Sequence, residues 1–440
     1  MAHDKEREKL MVHLLLNHVF ACSERTALMS TVPSSYWQRT APALALASHL
    51  PSAVDVAVIG GGLLGTATCY WLARAGVRVA LLEREGLASG ASGRNGGFVR
   101  IGSAGSYLEA KERLGAETAR QVMTLTTENR TLLRQVLPEE AIACAYREPG
   151  SLRLALSEEQ AVRFRREIAE LQADGYDALW LDRAQTQELI QTPLGEEIVG
   201  ARFRPAQGLV HSALLVQGLA QAATRYGASL CQAEVLQVTS EKEELYVQTT
   251  QGSLHAHQVV MAVNAWTGQL IPEMAPFLVP VLEQMLAYAP LPPLFTAGVG
   301  VDAVDGEYLQ QTLDGSLLVG GCGILAPDEG VGVWEPRPLA VVQGALEQIV
   351  PRLFPALTPQ LRVAARWAGL MGCVSDAHPI VDVAPGLPGV FFVGGFSGHG
   401  MPFGLRLGQL LAESATSGVL AAELWPFRLD RPSLLPWPRS

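Results

Sequence analysis

The sequence predicts an α/β protein. One domain is a Rossmann-like nucleotide-binding domain built from non-contiguous segments, and the second is an α+β domain with a mostly antiparallel sheet. A chain of 440 residues is long enough for two domains. A β-branched strand over 54–59 leads into a glycine-rich turn, a helix and a second strand. Further strands and helices follow in mixed order without an internal repeat.

Composition limits the class of protein and its partners. Hydrophobic residues make up 48% of the chain and charged residues 17%, which is typical of a globular protein with a large buried core. The net charge of −10 and the absence of a basic run argue against nucleic acid or an anionic membrane as a partner. Apolar stretches are too short for a transmembrane helix. The six cysteines contain no C-x-x-C pair, so we expect reduced, buried thiols, no metal site and a cytoplasmic location.

The N-terminal residues allow two interpretations. The stretch 10–22 loosely resembles the apolar region of a signal peptide, but His13, Asn17 and His18 interrupt it, and the residues before it mix acids with bases. We therefore expect residues 1–34 to form a disordered extension, with Met29 as an alternative start.

The first strand–helix–strand unit carries the pattern Gly60-x-Gly62-x-x-Gly65. The first glycine permits a tight turn, the second lets the backbone approach a pyrophosphate, and the third lets helix and strand pack closely. A helix that begins at Leu63 and Leu64 directs free N–H groups and its positive dipole end toward phosphates. The unit therefore predicts a dinucleotide site.

An acidic residue follows the second strand, which we expect over 77–82. Glu83 lies eighteen residues after Gly65, where a carboxylate accepts hydrogen bonds from ribose hydroxyls, and Arg84 is next to it. The carboxylate disfavours a 2′-phosphate, so NADP fits poorly. This unit alone does not distinguish FAD from NAD.

The remaining elements follow from periodicity and turn residues. We expect helices over 100–136, 158–174, 214–226, 339–349 and 405–414, and strands over 151–156, 231–238, 245–250, 258–263, 317–320 and 390–393. Prolines between 276 and 293 suggest a crossing between domains. The resulting boundaries place 35–138, 201–278 and 359–440 in the nucleotide-binding domain, and 139–200 and 279–358 in the second, substrate domain.

A second loop of small residues, 88–97, follows Glu83 (Ala-Ser-Gly-Ala-Ser-Gly-Arg-Asn-Gly-Gly). With this loop the chain resembles the D-amino-acid-oxidase-like superfamily of FAD-dependent oxidoreductases, in its sarcosine oxidase, glycine oxidase and γ-glutamylputrescine oxidase branches. The resemblance extends from Ser35 to Phe427. Its other specific pieces are Val259–Trp266, Gln284-Met285, Gly320-Gly321 and Gly395-Phe396-Ser397-Gly398-His399-Gly400.

The resemblance implies a bound FAD and assigns residues to it. Besides Gly60, Gly62, Leu63, Leu64, Gly65, Glu83 and Arg84, the expected contacts are Ser92, Arg94, Asn95, Gly96, Gly97, Val235, Ala262, Trp266, Gly395, Ser397, Gly398, Gly400 and Met401. The turn at 395–400 leads into a helix, so its N–H groups and the positive helix end can face the flavin N1–C2=O region. His399 is the candidate catalytic residue; the alternative is a histidine that only hydrogen-bonds the loop backbone.

The activity implied by the resemblance is oxidation of the C–N bond of a primary or secondary amine, or of an amino acid. A hydride passes to flavin N5, and the resulting imine hydrolyses. The partners are then a small amine and O2 or another electron acceptor, and no metal is required. Two alternatives stay open: an NAD-linked dehydrogenase, and a flavin-binding protein without a substrate of its own.

Three features depart from the pattern of sarcosine-oxidase-like enzymes: two substituted positions and a missing lysine. Pro402 stands where a lysine would bind substrate carboxylate, and Gly369 stands where a cysteine would bind flavin covalently. We therefore expect noncovalent FAD, with Cys373 a buried thiol. No arginine occurs between 367 and 405, which leaves Arg94 and Arg100 as anion-binding candidates. No lysine follows Lys242, so oxygen activation would need another cation or the acceptor is not oxygen.

Two weaker signals concern histidines. His255 and His257 share one face of a strand, where a solvated surface is favoured over a metal site. Asp376 and His378 either lie near the active-site wall or belong to a turn before Pro379.

Overall fold

The computed structural model describes residues 32–241 and 244–438. The N-terminal extension before Val32, including Cys22, lies outside the described residues, as does Lys242. The helices are α1 (Tyr36–Thr40), α2 (Leu63–Arg74), α3 (Tyr107–Leu114), α4 (Ala116–Glu139), α5 (Glu158–Ala173), α6 (Arg183–Glu188), α7 (Ser212–Arg225), α8 (Thr267–Leu270), α9 (Ala340–Leu353) and α10 (Gly404–Ser417).

The strands form two large sheets and one short pair. They are β1 (Ala53–Ile59), β2 (Val79–Glu83), β3 (Phe98–Val99), β4 (Ser151–Ala155), β5 (Leu179–Asp182), β6 (Gly200–Arg204), β7 (Gly208–Leu209), β8 (Ser229–Gln232), β9 (Val235–Glu241), β10 (Glu244–Thr249), β11 (Gly252–Met261), β12 (Val279–Tyr288), β13 (Gly298–Val301), β14 (Tyr308–Gln311), β15 (Leu317–Gly320), β16 (Val363–Cys373), β17 (Ile380–Val383) and β18 (Val390–Gly394).

The first sheet has the order β17-β18-β11-β1-β2-β8, and the β9–β10 hairpin extends from β11. Along this order every pairing is parallel except that of β17 with β18. Ala57 and Val58 of β1 are fully buried although they face opposite sides of the sheet, as expected for a central parallel strand covered on both faces. Helices α7 and α10 both pack against α2. This is the predicted Rossmann-like domain.

The second sheet has the order β16-β12-β15-β14-β13-β4-β6-β5. Every neighbouring pair is antiparallel except β13 and β4. Leu286, Val299 and Val319 of this sheet share a buried cluster with Leu346 and Phe354 at α9. The predicted second domain with a mostly antiparallel sheet is therefore confirmed.

Two predicted segment boundaries differ from the structure. Strands β6 and β16 pair within the second sheet, whereas boundaries at 200 and 358 place them in the nucleotide-binding domain. Residues 200–204 and 363–373 therefore belong to the second sheet. The partner of a strand is chosen by contacts far along the chain, which local patterns do not encode.

Some elements also differ from their predicted ranges. The helix expected over 100–136 begins only at Tyr107, after a turn in which Gly102 and Gly105 have positive φ, and Gly115 divides it into α3 and α4. The strand expected over 231–238 is interrupted between β8 and β9. The sequence predicts no element at β12 or β16. Pro280 of β12 lies outside the stretch that pairs with β15, so its missing N–H leaves that ladder intact.

None of the helices in 32–241 and 244–438 combines the length and apolar character needed to cross a bilayer.

Candidate cofactor and active site

A cavity of about 510 Å³ lies at the ends of β1, β2 and β11 and extends to β12, β14 and β16 of the second sheet. Its volume is within the range of about 300–1,000 Å³ that small-molecule sites occupy. The carboxyl ends of parallel strands form its first wall, where α/β proteins bind their ligands. We call this space the main cavity.

The glycine turn is held by contacts that exclude side chains. Gly60 has φ +107°, and a Cβ at this position would lie 2.6 Å from the Ala262 carbonyl oxygen. A Cβ on Gly65 would lie 1.9 Å from the Gly60 oxygen, so Gly65 permits close packing and does not itself line the cavity. Gly62 precedes α2 as its N-cap, and the Leu63 N–H donates to Ser92 Oγ at 2.9 Å. The first turn of α2 thus borders the cavity with N–H groups that lack intrahelical partners.

Glu83 lies at the predicted end of β2 and is only 8% exposed. Its Oε2 accepts from the Gly61 N–H at 2.7 Å and its Oε1 from the Glu85 N–H at 2.8 Å. Both oxygens keep lone pairs that can accept from ribose hydroxyls. The Arg84 guanidinium lies 4.8 Å from the centre of the Trp266 ring, and these two side chains line the same cavity.

Within the loop of small residues 88–97, the part 90–97 is braced by the Asn95 side chain. Asn95 Nδ2 donates to the Ala91 and Ser92 carbonyls, each at 3.1 Å, and Asn95 Oδ1 accepts from the Gly97 N–H at 2.8 Å. Trp37 Nε1 donates to the Asn95 carbonyl at 2.6 Å, so α1 holds the loop from outside.

Arg94 lines the main cavity but uses its donors to hold the protein together. Its Nε donates to Ser89 O at 2.9 Å, and its Nη1 donates to Pro33 O at 2.9 Å and Ala368 O at 3.0 Å. These bonds join the loop to the chain before α1 and to β16. Arg94, one of the two predicted anion-binding residues, therefore holds three segments of the chain together.

Two residues of the C-terminal turn do not reach the cavity. Gly398, His399, Gly400 and Met401 line it, but Gly395 and Ser397 do not. The Gly395 N–H donates to Asn264 Oδ1 at 3.0 Å, and the Ser397 N–H donates to Gly372 O at 2.9 Å. Gly395 and Ser397 thus fasten the turn to its neighbours rather than lining the cavity, which differs from their predicted place.

The start of α10 also differs from expectation. The N–H groups of Leu405 and Arg406 both donate to Asn129 Oδ1, at 2.7 and 3.2 Å. Side-chain capping satisfies N–H groups that would otherwise be free at a helix start. Met401 and Pro402, which begin the short 3₁₀ turn Met401–Phe403, border the cavity instead.

His399 lies on the cavity wall and is 8% exposed. Its Nε2 is 3.2 Å from the Arg100 carbonyl oxygen. Burial, and secondarily the positive charge of Arg100, lowers the pKa of His399 to about 3. The imidazole is therefore neutral at ordinary pH and is a weak proton acceptor.

Two polar side chains of the second sheet complete the main cavity, and motif analysis does not find them. Glu283 of β12 accepts from the Gln284 N–H at 2.9 Å, and burial, with Asp305 and Glu307 nearby, raises its pKa to about 7. Burial, with Glu283 nearby, keeps the pKa of Tyr308 well above its ordinary value. The available signal is a glutamate within the apolar stretch 279–288, beside Gln284-Met285.

Of the remaining candidate residues, one lines the main cavity and the others lie away from it. Gly369 lines the main cavity, whereas Cys373 is buried and does not. Asp376 accepts from Arg431 at 2.7 and 2.9 Å, and the His378 ring stacks on Phe427 at 4.5 Å, so this pair anchors the C-terminal segment away from the cavity. His255 and His257 are exposed, and no cluster of three metal-ligating side chains occurs in the described part of the chain.

The arrangement suits a dinucleotide cofactor. The glycine turn leaves no room for side chains, Glu83 offers free lone pairs, and the described cavity is large enough for a small-molecule site. Together with a second sheet that supplies polar side chains at the other part of the cavity, fold and site define the class of two-domain dinucleotide-binding proteins. The model of the DAO family, described as FAD dependent oxidoreductase, matches residues 55–414, and the chain belongs to this family.

Curated relatives agree with this assignment. The chain is 28% identical over 392 residues to "Probable oxidoreductase OrdL" of Rhizobium meliloti (strain 1021), covering 87% of this chain and 88% of the relative. It is 28% identical over 388 residues to glycine oxidase of Geobacillus kaustophilus (strain HTA426), covering 86% and 97%. It is 26% identical over 401 residues to γ-glutamylputrescine oxidoreductase of Escherichia coli (strain K12), covering 88% and 89%.

A solved structure supports the same fold. The crystal structure of glycine oxidase from Geobacillus kaustophilus superposes with a TM-score of 0.76 and 27% identity, covering 87% of this chain and 99% of that one. The protein is thus an FAD-dependent oxidoreductase, and the predicted family and cofactor are confirmed. This excludes the NAD-linked dehydrogenase and the flavin-binding protein without a substrate.

Proposed function

We propose that this enzyme oxidises the C–N bond of a primary or secondary amine, which includes amino acids, to an imine that hydrolyses to a carbonyl compound. The observation that carries the proposal is Glu283, a carboxylate that the second sheet places on the wall of the main cavity. A bound FAD would supply the acceptor at N5 for the hydride that leaves the carbon bearing the amine. Glycine oxidase and γ-glutamylputrescine oxidoreductase, by their names, also act on amino compounds.

Glu283 binds the amine and removes its extra proton. Only the neutral amine has a lone pair that can assist loss of a hydride from the neighbouring carbon. An ammonium group in the cavity loses hydration, which lowers its pKa, while burial has already raised the pKa of Glu283 to about 7. The two values approach each other, so the proton can pass from nitrogen to Glu283 Oε with little penalty.

Apolar and uncharged side chains also line the main cavity. Phe98, Met371 and Trp334 line the same cavity, and a substrate that covers these side chains would displace water, which strengthens the attraction between Glu283 and an ammonium group. Tyr308 and His399 carry no charge at neutral pH, because burial disfavours their ionised forms. Their roles are to position the substrate through neutral hydrogen bonds.

FAD is bound without a covalent link in this proposal. The groups that would hold it are the first turn of α2, Glu83, the loop 90–97, Trp266 and the 398–401 turn, all of which line the main cavity. Gly369 offers no thiol, and the Cys373 thiol is buried outside the cavity wall. Acid precipitation should therefore release the yellow cofactor into the supernatant.

The acceptor for the reoxidation is O2 or a second small molecule. If the acceptor is O2, the cations in the main cavity that could assist its reduction are the guanidinium groups of Arg84, Arg94 and Arg100.

The five cysteines in the described ranges are free thiols, which supports a reducing, cytoplasmic location.

Anaerobic reduction tests the proposal. The holoenzyme should be yellow and lose its absorbance near 450 nm when an amine substrate is added without oxygen. Replacing Glu283→Gln should lower kcat/KM about 10²- to 10⁴-fold, the range of general acid–base catalysis, and abolish an inflection near pH 7. Glu273→Gln, at an exposed site in Pro272–Met274, is the matched control and should be unchanged. A colourless preparation, or a Glu283→Gln variant with native kcat/KM, would contradict the proposal.

A further inference from the structure

A second cavity of about 50 Å³ adjoins the main cavity, and Phe98, Arg100 and His399 line both. Arg153, Arg202 and Arg204 also line the smaller space. We call this space the arginine cavity. A single water needs about 10–15 Å³, so the space can hold several waters or a carboxylate group.

The positive charges of the arginine cavity are only partly balanced. Glu167 pairs with Arg202, and Asp302 pairs with Arg153. Asp302 also contacts the exposed Arg163 at 3.1 Å, so its charge is shared. In the described part of the chain, neither Arg100 nor Arg204 forms an ion pair.

Several donors at the same cavity have no acceptor. The Nε atoms of Arg100, Arg202 and Arg204 are buried without a hydrogen-bond partner in the described structure, and so is Gln207 Nε2. Arg204 Nη1 donates to Ile101 O at 3.0 Å, which holds this side chain at the cavity. A buried donor without a partner costs about 1–3 kcal/mol, and more when it is charged. An anion would satisfy several of these donors together.

The arginines also repel one another. Burial first, and then Arg153 and Arg202, lowers the pKa of Arg100 to about 10. Burial and Arg202 lower the pKa of Arg204 to about 10. Waters could satisfy the N–H donors but would leave the excess positive charge, whereas an anion removes both penalties.

We propose that the arginine cavity binds the carboxylate of the amine substrate, at the end of the molecule away from the reacting nitrogen. This inference rests on the proposed function, since it places the amino group at Glu283 in the main cavity. Phe98, Arg100 and His399 line both cavities, so the two spaces adjoin, and in this proposal the substrate passes between these side chains. The substrate class is therefore a zwitterion with a separate carboxylate, such as an ω-amino acid, and not a plain alkylamine or a polyamine.

The first test measures binding without turnover. The holoenzyme is titrated with acetate, propanoate, butanoate and pentanoate, and the change in flavin absorbance gives each dissociation constant. Arg204→Gln should weaken carboxylate binding at least tenfold, as expected for loss of a charged hydrogen-bond partner. Arg204→Lys keeps the charge and should restore part of the affinity. Arg165→Gln, on the outer face of α5 and about half exposed, is the control and should bind like the native protein.

The second test compares pairs of substrates with the same chain. Ethylamine is paired with β-alanine, propylamine with 4-aminobutanoate, and butylamine with 5-aminopentanoate. In the native enzyme kcat/KM should favour the amino acid at least tenfold for one length, and Arg204→Gln should remove this preference by raising KM for the amino acid, whereas Arg165→Gln should keep it. Flavin content and the melting temperature of each variant show whether it is folded.

The outcomes separate the two proposals. Bleaching by amines without any preference for the carboxylated partner would overturn the arginine-cavity proposal and leave the proposed function standing. Carboxylate binding without bleaching by any amine would refute the proposed function. If chloride or phosphate displaces pentanoate with equal affinity and no amino acid is preferred, the cavity is an inorganic anion site and the proposal is wrong.

Discussion

The substitution Gly65→Ala gives the sharpest structural prediction, because α2 is packed tightly on both sides and leaves no room for the added methyl group. A Cβ at position 65 would lie 1.9 Å from the Gly60 carbonyl oxygen, whereas real Cβ contacts stay beyond 3.0 Å. The Gly60 turn cannot retreat, since the Gly60 N–H is bonded to Leu82 O at 2.9 Å. Helix α2 must therefore move by at least about 1 Å.

That movement is opposed from the other side of the helix. Gly404 and Gly408 of α10 face Leu63 and Ala67 so closely that a Cβ on either glycine would lie 2.6–2.7 Å away. Overpacking of this kind costs about 1–3 kcal/mol and occasionally more, and confinement on two sides places Gly65→Ala at or above the upper end. The helix start would also shift relative to the cofactor phosphates.

The assay is thermal unfolding together with flavin content, measured as the ratio of absorbance near 450 nm to that at 280 nm. Gly344→Ala in α9 is the matched control, because a Cβ there meets nothing within 4 Å, and alanine stabilises an open helical site by about 0.5–1 kcal/mol. A Gly65→Ala protein with native melting temperature and native flavin content would refute the reasoning.

Three further predictions concern titrating groups. Burial raises the pKa of Glu283 from 4.5 to about 7, so the stability that its protonated form contributes is complete below the unfolded pKa and is lost as the pH rises through about 7. Denaturant unfolding should therefore show that Glu283→Gln gains up to about 3 kcal/mol in unfolding free energy over the native protein between pH 5 and 8. His399 is already neutral above pH 4, so His399→Asn should leave the inflections of the pH profile of kcat/KM in place and lower activity less than about 100-fold. Burial alone would raise the pKa of Asp376, but hydrogen bonds from Arg431 hold this pKa below the ordinary value. The stability that ionised Asp376 contributes is therefore lost as the pH falls. Asp376→Asn should cost about 3–5 kcal/mol of unfolding free energy at pH 7 and less at pH 3.

Each of these has a contrary result. Equal pH dependence of stability for native protein and Glu283→Gln would show that Glu283 is not held protonated. A shifted or missing inflection in His399→Asn would assign proton transfer to this histidine. An Asp376→Asn variant as stable as Asp382→Asn, whose carboxylate is also close to an arginine, would show that the buried pair contributes little.

The nucleotide-binding half of the site is predictable because its signals are local. Strand β1, the glycine turn, α2 and Glu83 lie within 31 consecutive residues, and each glycine has one steric reason to be there. The family resemblance extends this to the loop 90–97 and the C-terminal turn. Gly395 and Ser397 show its limit, since a motif identifies a turn but not which of its residues face the cavity.

The substrate half is not predictable in the same way. Glu283, Tyr308 and the four arginines of the arginine cavity come from β12, β14, β4 and β6 and from the turn after β3, which are far apart in the chain. None of these side chains belongs to a spaced motif. Arg153 and Arg202 become neighbours only because β4 pairs with β6.

The sequence by itself therefore determined the fold class, because short-range sterics and glycine spacing specify a dinucleotide turn. The family and the cofactor followed from the resemblance carried by the loop 88–97 and the turn 395–400. Only the tertiary structure decided which charges face the substrate. It places Glu283 on the wall of the main cavity and groups Arg100, Arg153, Arg202 and Arg204 around the arginine cavity. Burial and charge proximity set the electrostatics of a site, and both depend on strand partners that only the folded chain brings together.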